Sequence, residues 1–152
     1  MRIVVLHGPN LNRLGTRQPE LYGTTTLADI DSMLHELAAQ LNVELQTEQH
    51  NGEGALIDAV HRADVADAIL INPAAYTHTS VALRDALLAV ELPTWSVHLT
   101  EPRTREPYRQ VDLIEDLCVG RTAGRGAASY TEALSELVNW LNTRAKKPHL
   151  SA

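Results

Sequence analysis

The sequence predicts a doubly wound α/β domain: one five-stranded parallel sheet with helices on both faces. Three observations predict it. Short apolar runs alternate with helix-period stretches along the whole chain, the pattern of repeated strand–helix–strand units. The runs at residues 3–7 and 68–71 are apolar without alternation, as strands buried on both faces are. The chain's unusual polar residues collect in connections that follow strands, where open parallel sheets bind ligands.

Taken in order, residues 3–7 form the first strand. Residues 8–24 are a long connection holding Gly8-Pro9, Gly15, Pro19 and Gly23. A connection of that length inside a compact domain is usually functional. Thr26 caps the first long helix, with Asp29 as its capping-box partner three residues on. Leu27, Ile30, Leu34, Leu37 and Leu41 recur there at helical spacing. Residues 43–49 alternate apolar and polar, a half-exposed strand. Residues 53–62 form a helix with Leu56, Ile57 and Val60 inward, and residues 68–71 a short buried strand. Residues 72–79 are a loop, and Ser80 caps a helix over 81–90. Pro93 introduces a strand at 94–98, followed by a second long polar connection over 99–112. Residues 117–119 read as the last strand, Gly120, Gly124 and Gly126 as a tight turn, and 128–143 as the closing helix. Its apolar face is Leu134, Leu137, Val138 and Leu141. The expected domain covers residues 1–145, with a frayed tail over 146–152. Right-handed crossovers between five such strands fit the flavodoxin-like arrangement best.

Composition narrows function. The 152 residues are 44% hydrophobic and 21% charged, ordinary for a globular domain. A formal charge of −6 argues against a binder of phosphate backbones, and the scarcity of aromatics against a base-stacking surface. No stretch approaches the roughly 20 apolar residues of a membrane span. The N-terminal run lacks the length and cleavage site of a signal peptide. The expected compartment is the cytoplasm, and neither nucleic acid nor membrane is an expected partner. Cys118 is the only cysteine; in its apolar run it reads as a buried, inert thiol. His7, His50, His78 and His98 gather near one sheet edge, with no acid at ligand spacing from any of them, so no metal is expected. Neither phosphate-loop pattern occurs.

Three loops carry the candidate chemistry. In the first, Asn10 follows Gly8-Pro9, and Arg17 and Tyr22 share a segment bounded by Gly15 and Gly23, a hinged-lid candidate. A phenol near pKa 10 is a poor base at neutral pH, but a cation within reach lowers it. In the second, Asn72 and His78 run from a strand end into a helix N-terminus, which suits anions. In the third, His98 ends a strand, where an imidazole can donate a proton near neutrality, and Arg109 can clamp hydroxyls or a carboxylate.

Together these segments resemble one family. Gly8-Pro9-Asn10-Leu11-Asn12, Gly15-Thr16-Arg17-Gln18-Pro19 and Tyr22-Gly23 look like the opening signature of the type II dehydroquinases. Residues 71–86, through Asn72-Pro73-Ala74-Ala75-Tyr76-Thr77-His78, look like its central signature. Val97-His98-Leu99, Arg105-Glu106 and Tyr108-Arg109 follow in family order. The resemblance runs from about Arg2 to Leu141. It implies a cofactor-free lyase that dehydrates 3-dehydroquinate to 3-dehydroshikimate through an enolate, in the shikimate or quinate pathway. Tyr22 would be the base and Arg17 would tune it. Asn72 would help hold the enolate, directly or through water, His98 would be the acid, and Asn10 would orient that acid or its water. His78 and Arg109 would grip hydroxyls, the backbone at Leu99 and Thr100 the substrate carboxylate, and Asp85 would reach a neighbouring subunit's site. The family forms trimers that combine into dodecamers, so a homo-oligomer is implied. Consistent with a route needing no Schiff-base lysine, the only lysines are Lys146 and Lys147.

The chain departs from the family pattern at several positions. Ser96 stands where the family usually has Glu, Thr100-Glu101 replaces Ser-Asn, and His50 and Gly52 stand where Ser and His are usual. Pro102-Arg103 and Gln110-Val111-Asp112 also differ, and Arg121 and Arg125 enter a usually apolar turn. Glu101 is expected to stand in for the missing carboxylate beside His98. Two other readings stand beside the main one: a paralogue with altered substrate or weak activity, and a non-catalytic flavodoxin-like binding module. Against the last, a receiver domain needs clustered acidic residues after the first strand, and this chain has His7-Gly8-Pro9-Asn10.

Overall fold

The computed structural model describes residues 1–145; the expected frayed tail lies outside the described residues. Five strands, β1 (Arg2–His7), β2 (Glu44–Gln49), β3 (Ala68–Asn72), β4 (Thr94–His98) and β5 (Gly120–Ala123), form one sheet in the order β2-β1-β3-β4-β5. Every pairing is parallel. This is the expected flavodoxin-like order, with its switch point between β1 and β3. His7 and Asn72 are register partners at that point.

The helices are α1 (Pro19–Tyr22), α2 (Leu27–Gln40), α3 (Glu53–Arg62), α4 (Val81–Val90) and α5 (Ala128–Ala145). Successive strand residues point to opposite faces, so the sheet feeds two cores. Ile3, Val5, Leu70 and Val97 pack with Leu34 of α2 and Leu134 of α5. Val4, Leu6, Ile69 and Ile71 pack with Leu56 of α3 and Leu83 of α4. The capping box of α2 is present: the Thr26 hydroxyl accepts from the Asp29 backbone, and the Asp29 carboxylate accepts from the Thr26 N–H. Ser80 accepts the Leu83 N–H at 2.9 Å at the start of α4. Among the described residues, no helix is long and apolar enough to cross a membrane.

Sequence and structure part company at the last strand. Residues 115–117 form a 3-10 turn, and β5 begins at Gly120. Gly120 is therefore a strand residue rather than the opening of a turn. A Cβ there would meet the Trp95 ring at 2.3 Å, so this glycine makes room for an aromatic on the neighbouring strand. Arg121 lies in β5, paired in register with Ser96.

Candidate active site

The ends of β1, β3 and β4 open into one cleft. Gly8 sets its floor: its N–H donates to the Asn72 carbonyl at 2.8 Å, and a Cβ would stand 2.4 Å from the Pro73 oxygen. Only glycine lets the two strand ends meet this closely. Asn10 and Ala74, on either side, adopt left-handed backbone conformations, with φ of 67° and 52°.

Asn10, Arg17, Tyr22, Asn72 and His78 line the cleft, and so do His98, Leu99, Thr100 and Arg109. Asp85 does not; it is exposed on α4. Arg105 also lines the cleft; in the sequence it stands only within the Arg105-Glu106 pair of the family resemblance, with no role of its own. Its guanidinium donates to the Tyr22 phenol oxygen at 3.0 Å. Arg17, the expected partner of that oxygen, instead lies over the ring, 5.1 Å from its centroid. Phenol and cation meet as expected, but the cation on the oxygen comes from a loop 83 residues away.

His98 is 5% exposed, and its Nε2 lies 3.1 Å from the Ser96 hydroxyl. Burial pushes its imidazole down to about 3; the charges of Arg121 and His78 add to the fall, and Glu101 opposes it by less than Arg121 adds. Glu101 is not a partner of this ring. Both its oxygens are taken by Arg121, at 2.7 and 3.0 Å, and it also accepts the Arg103 backbone N–H. That grip holds the Glu101 carboxyl below the usual range, the Arg121 hydrogen bonds being the largest cause. The expected substitute carboxylate has its own counter-ion.

His78 Nδ1 faces the Val111 carbonyl, so that nitrogen carries hydrogen and Nε2 is the free one. Arg109 is held by Glu106 at 2.7 Å. The Asn72 Nδ2 donates to the Tyr130 oxygen at 3.0 Å, and its Oδ1 accepts the Ala74 N–H at 3.1 Å. Two histidines do have acids beside them, contrary to expectation: His50 pairs with Glu48, two residues earlier on β2, and His7 with Asp31, each at 2.9 Å. These are separate pairs, and among the described residues no three His, Cys, Asp or Glu side chains converge as metal ligands. Burial pushes the Cys118 thiol up to about 12, so it stays a protonated, unreactive thiol.

Fold and cleft together define a doubly wound α/β protein whose site, at the topological switch point, combines a guanidinium-held phenol with a buried imidazole. The family model of class II dehydroquinases matches residues 1–138. The chain is 51% identical over 142 residues to the 3-dehydroquinate dehydratase of Jannaschia sp. (strain CCS1), covering 93% of this chain and 96% of that one. It is 53% identical over 142 residues to that of Pectobacterium carotovorum subsp. carotovorum (strain PC1), covering 93% and 95%. The crystal structure of type II dehydroquinase from Butyrivibrio crossotus DSM 2876 superposes with a TM-score of 0.87 at 38% identity, covering 90% of this chain and 97% of that one. The chain belongs to the class II dehydroquinase family.

Proposed function

We propose that this chain dehydrates 3-dehydroquinate to 3-dehydroshikimate. The observation that carries the reading is the convergence, in one cleft, of a phenol bonded to a guanidinium and a buried imidazole. Its catalytic unit is the domain over residues 1–145. Tyr22, as phenolate, takes the proton from the carbon beside the substrate ketone. Arg105 and Arg17 hold the charge that the phenol oxygen carries before that step. The electrons move to the ketone oxygen, giving an enolate, and Asn72 offers it an N–H. A donor placed for that oxygen contributes on the order of 3 kcal/mol in comparable sites. The enolate then collapses, the carbon–oxygen bond to the departing hydroxyl breaks, and His98 supplies the proton that makes it water. Asn10 orients that acid. His78, through Nε2, and Arg109 hold ring hydroxyls, and the backbone at Leu99 and Thr100 faces the carboxylate.

His98 must carry a proton to act as an acid, and burial opposes that in the empty cleft. The substrate carboxylate, seated at Leu99 and Thr100, brings the negative charge that favours the imidazolium. Protonation of His98 is thus coupled to substrate binding. Asp85, exposed on α4 and outside the lining of its own cleft, serves a neighbouring subunit of a trimer-based dodecamer in the cytoplasm. The test is to mix purified protein with 3-dehydroquinate, without metal or nucleotide, and follow the conjugated enone in the ultraviolet. Tyr22→Phe is expected to lower kcat by about 100-fold or more with KM little changed. An inert wild-type protein would return the chain to the altered-substrate reading.

A further inference from the structure

Beneath the cleft floor runs a polar chain that the reaction scheme leaves unused. His7 and Tyr130 have no solvent exposure. His7 Nε2 lies 2.9 Å from Asp31 Oδ1, and His7 Nδ1 lies 3.0 Å from the Tyr130 oxygen. That oxygen also receives the Asn72 Nδ2–H. The direction of each bond follows from what the groups can do. A carboxylate only accepts, so His7 Nε2 carries the hydrogen. Nδ1 is then bare and accepts the Tyr130 O–H. Burial pushes the Tyr130 phenol well above its usual range, so this hydrogen stays in place. The Tyr130 oxygen keeps a lone pair for Asn72.

The far side of the carboxamide is equally constrained. The Ala74 N–H can only donate, so the atom facing it is Oδ1. One N–H of Asn72 is left, and Asn72, otherwise buried, lines the cleft. Turning the amide over would set donor against donor at Ala74 and acceptor against the enolate. It would also release Ala74, whose left-handed backbone costs about 1–3 kcal/mol in a residue other than glycine.

We propose that Asp31, His7 and Tyr130 are positioning residues that lock the Asn72 carboxamide, leaving its one free N–H for the substrate oxygen. The inference rests on the function proposed above. The lock spans three elements: His7 and Asn72 sit side by side at the ends of β1 and β3, Tyr130 lies in the first turn of α5, and Asp31 lies in α2.

Tyr130→Phe removes one oxygen and keeps the ring. In the dehydration assay, kcat is expected to fall about tenfold while KM changes less than about twofold. In an Asn72→Ala background the same change should cost nothing further, because the two residues act as one unit. A full additive loss there would mean that Tyr130 only supports the fold, and would overturn the proposal. His7→Gln offers Tyr130 an amide oxygen and Asp31 an amide N–H, so it should retain activity that His7→Leu loses. If Tyr130→Phe does not fold, Asp31→Ala, at the partly exposed end of the chain, carries the same comparison with a smaller drop. The side-chain amide resonance of Asn72 reads the lock without substrate. Its two hydrogens should be distinct in the wild type and move toward a common position in Tyr130→Phe. An inert wild type would sink the assigned reaction and leave this readout standing. An unshifted Asn72 resonance would sink the lock itself.

Discussion

Arg121 and Glu101 are the residues whose effect on the cleft is most particular to this chain. The Arg121–Glu101 pair sits beside His98, its guanidinium on β5 next to Ser96. The Arg121 Nε is buried without a hydrogen-bond partner, 4.0 Å from an Asp112 oxygen, so one donor of the guanidinium is unsatisfied although two carboxylates flank its charge. Removing it has a definite sign. In Arg121→Gln the cation that disfavours imidazolium is lost and the Glu101 charge is uncovered, so the His98 pKa rises. The limb of the kcat/KM profile set by His98 should move to higher pH. KM should also rise, because an uncovered Glu101 follows Leu99 and Thr100, whose backbone is proposed to receive the substrate carboxylate. Arg121→Gln with Glu101→Gln should return KM toward the wild-type value. An unchanged profile in the single variant would detach Arg121 from His98. Nothing local in the sequence pairs these residues, because the glycines around Arg121 read as a turn. Tyr22 and His98, by contrast, were legible from residue type and from their places after strands. The partners of Arg105, Tyr130, His7 and Asp31 were not: each bonds to a residue remote in the chain, and no local pattern marks that pairing.

At the level of elements, the middle of the chain is the most legible: the strand over 94–98 matches to the residue, whereas the short helix α1 lies inside what reads as a connection. The residues 53–62 and 81–90 are helical to the residue, because caps and a 3.6-residue period announce themselves locally. The last strand was displaced by three residues, because its signal is mixed. Gly120 and Gly124 resemble turn punctuation, and Arg121 breaks the apolar run. The reason lies on the next strand, where the Trp95 indole fills the place of a side chain at 120. That indole cannot retreat freely, since its N–H donates to the Thr122 hydroxyl at 3.0 Å. Gly120→Ala should therefore destabilise the fold by about 1–3 kcal/mol through overpacking, lowering the midpoint of urea unfolding. An unchanged midpoint would mean the β4–β5 contact is softer than its geometry implies.

The whole molecule couples its site to its stability through protons. His98 ordinarily titrates near 6.5 and is held down to about 3 in the folded cleft. Above 6.5 both folded and unfolded chains leave it neutral, and it contributes nothing. Between 6.5 and 3 only the unfolded chain takes up the proton, so stability falls as pH falls. Glu48 and Glu101, both held below their usual 4.5, add loss in the same direction at lower pH. Thermal unfolding followed from pH 8 to 4 should show the midpoint declining once pH drops below about 6.5. His98→Asn should flatten the upper part of that decline. A midpoint that held level down to pH 5 in the wild type would contradict a buried neutral imidazole. The overall architecture was the most legible level of all, because strand alternation and strand-end loops are encoded along the entire chain. The two-sided core and the switch point follow from that alternation.

The cations of the cleft have a consequence that reaches beyond catalysis. Arg17, Arg105 and Arg109 line it, with no amine among the residues around them. Guanidinium groups do not shed their charge at any pH a folded protein survives. A ketone that enters therefore meets a fixed positive field and no group able to condense with it into an imine.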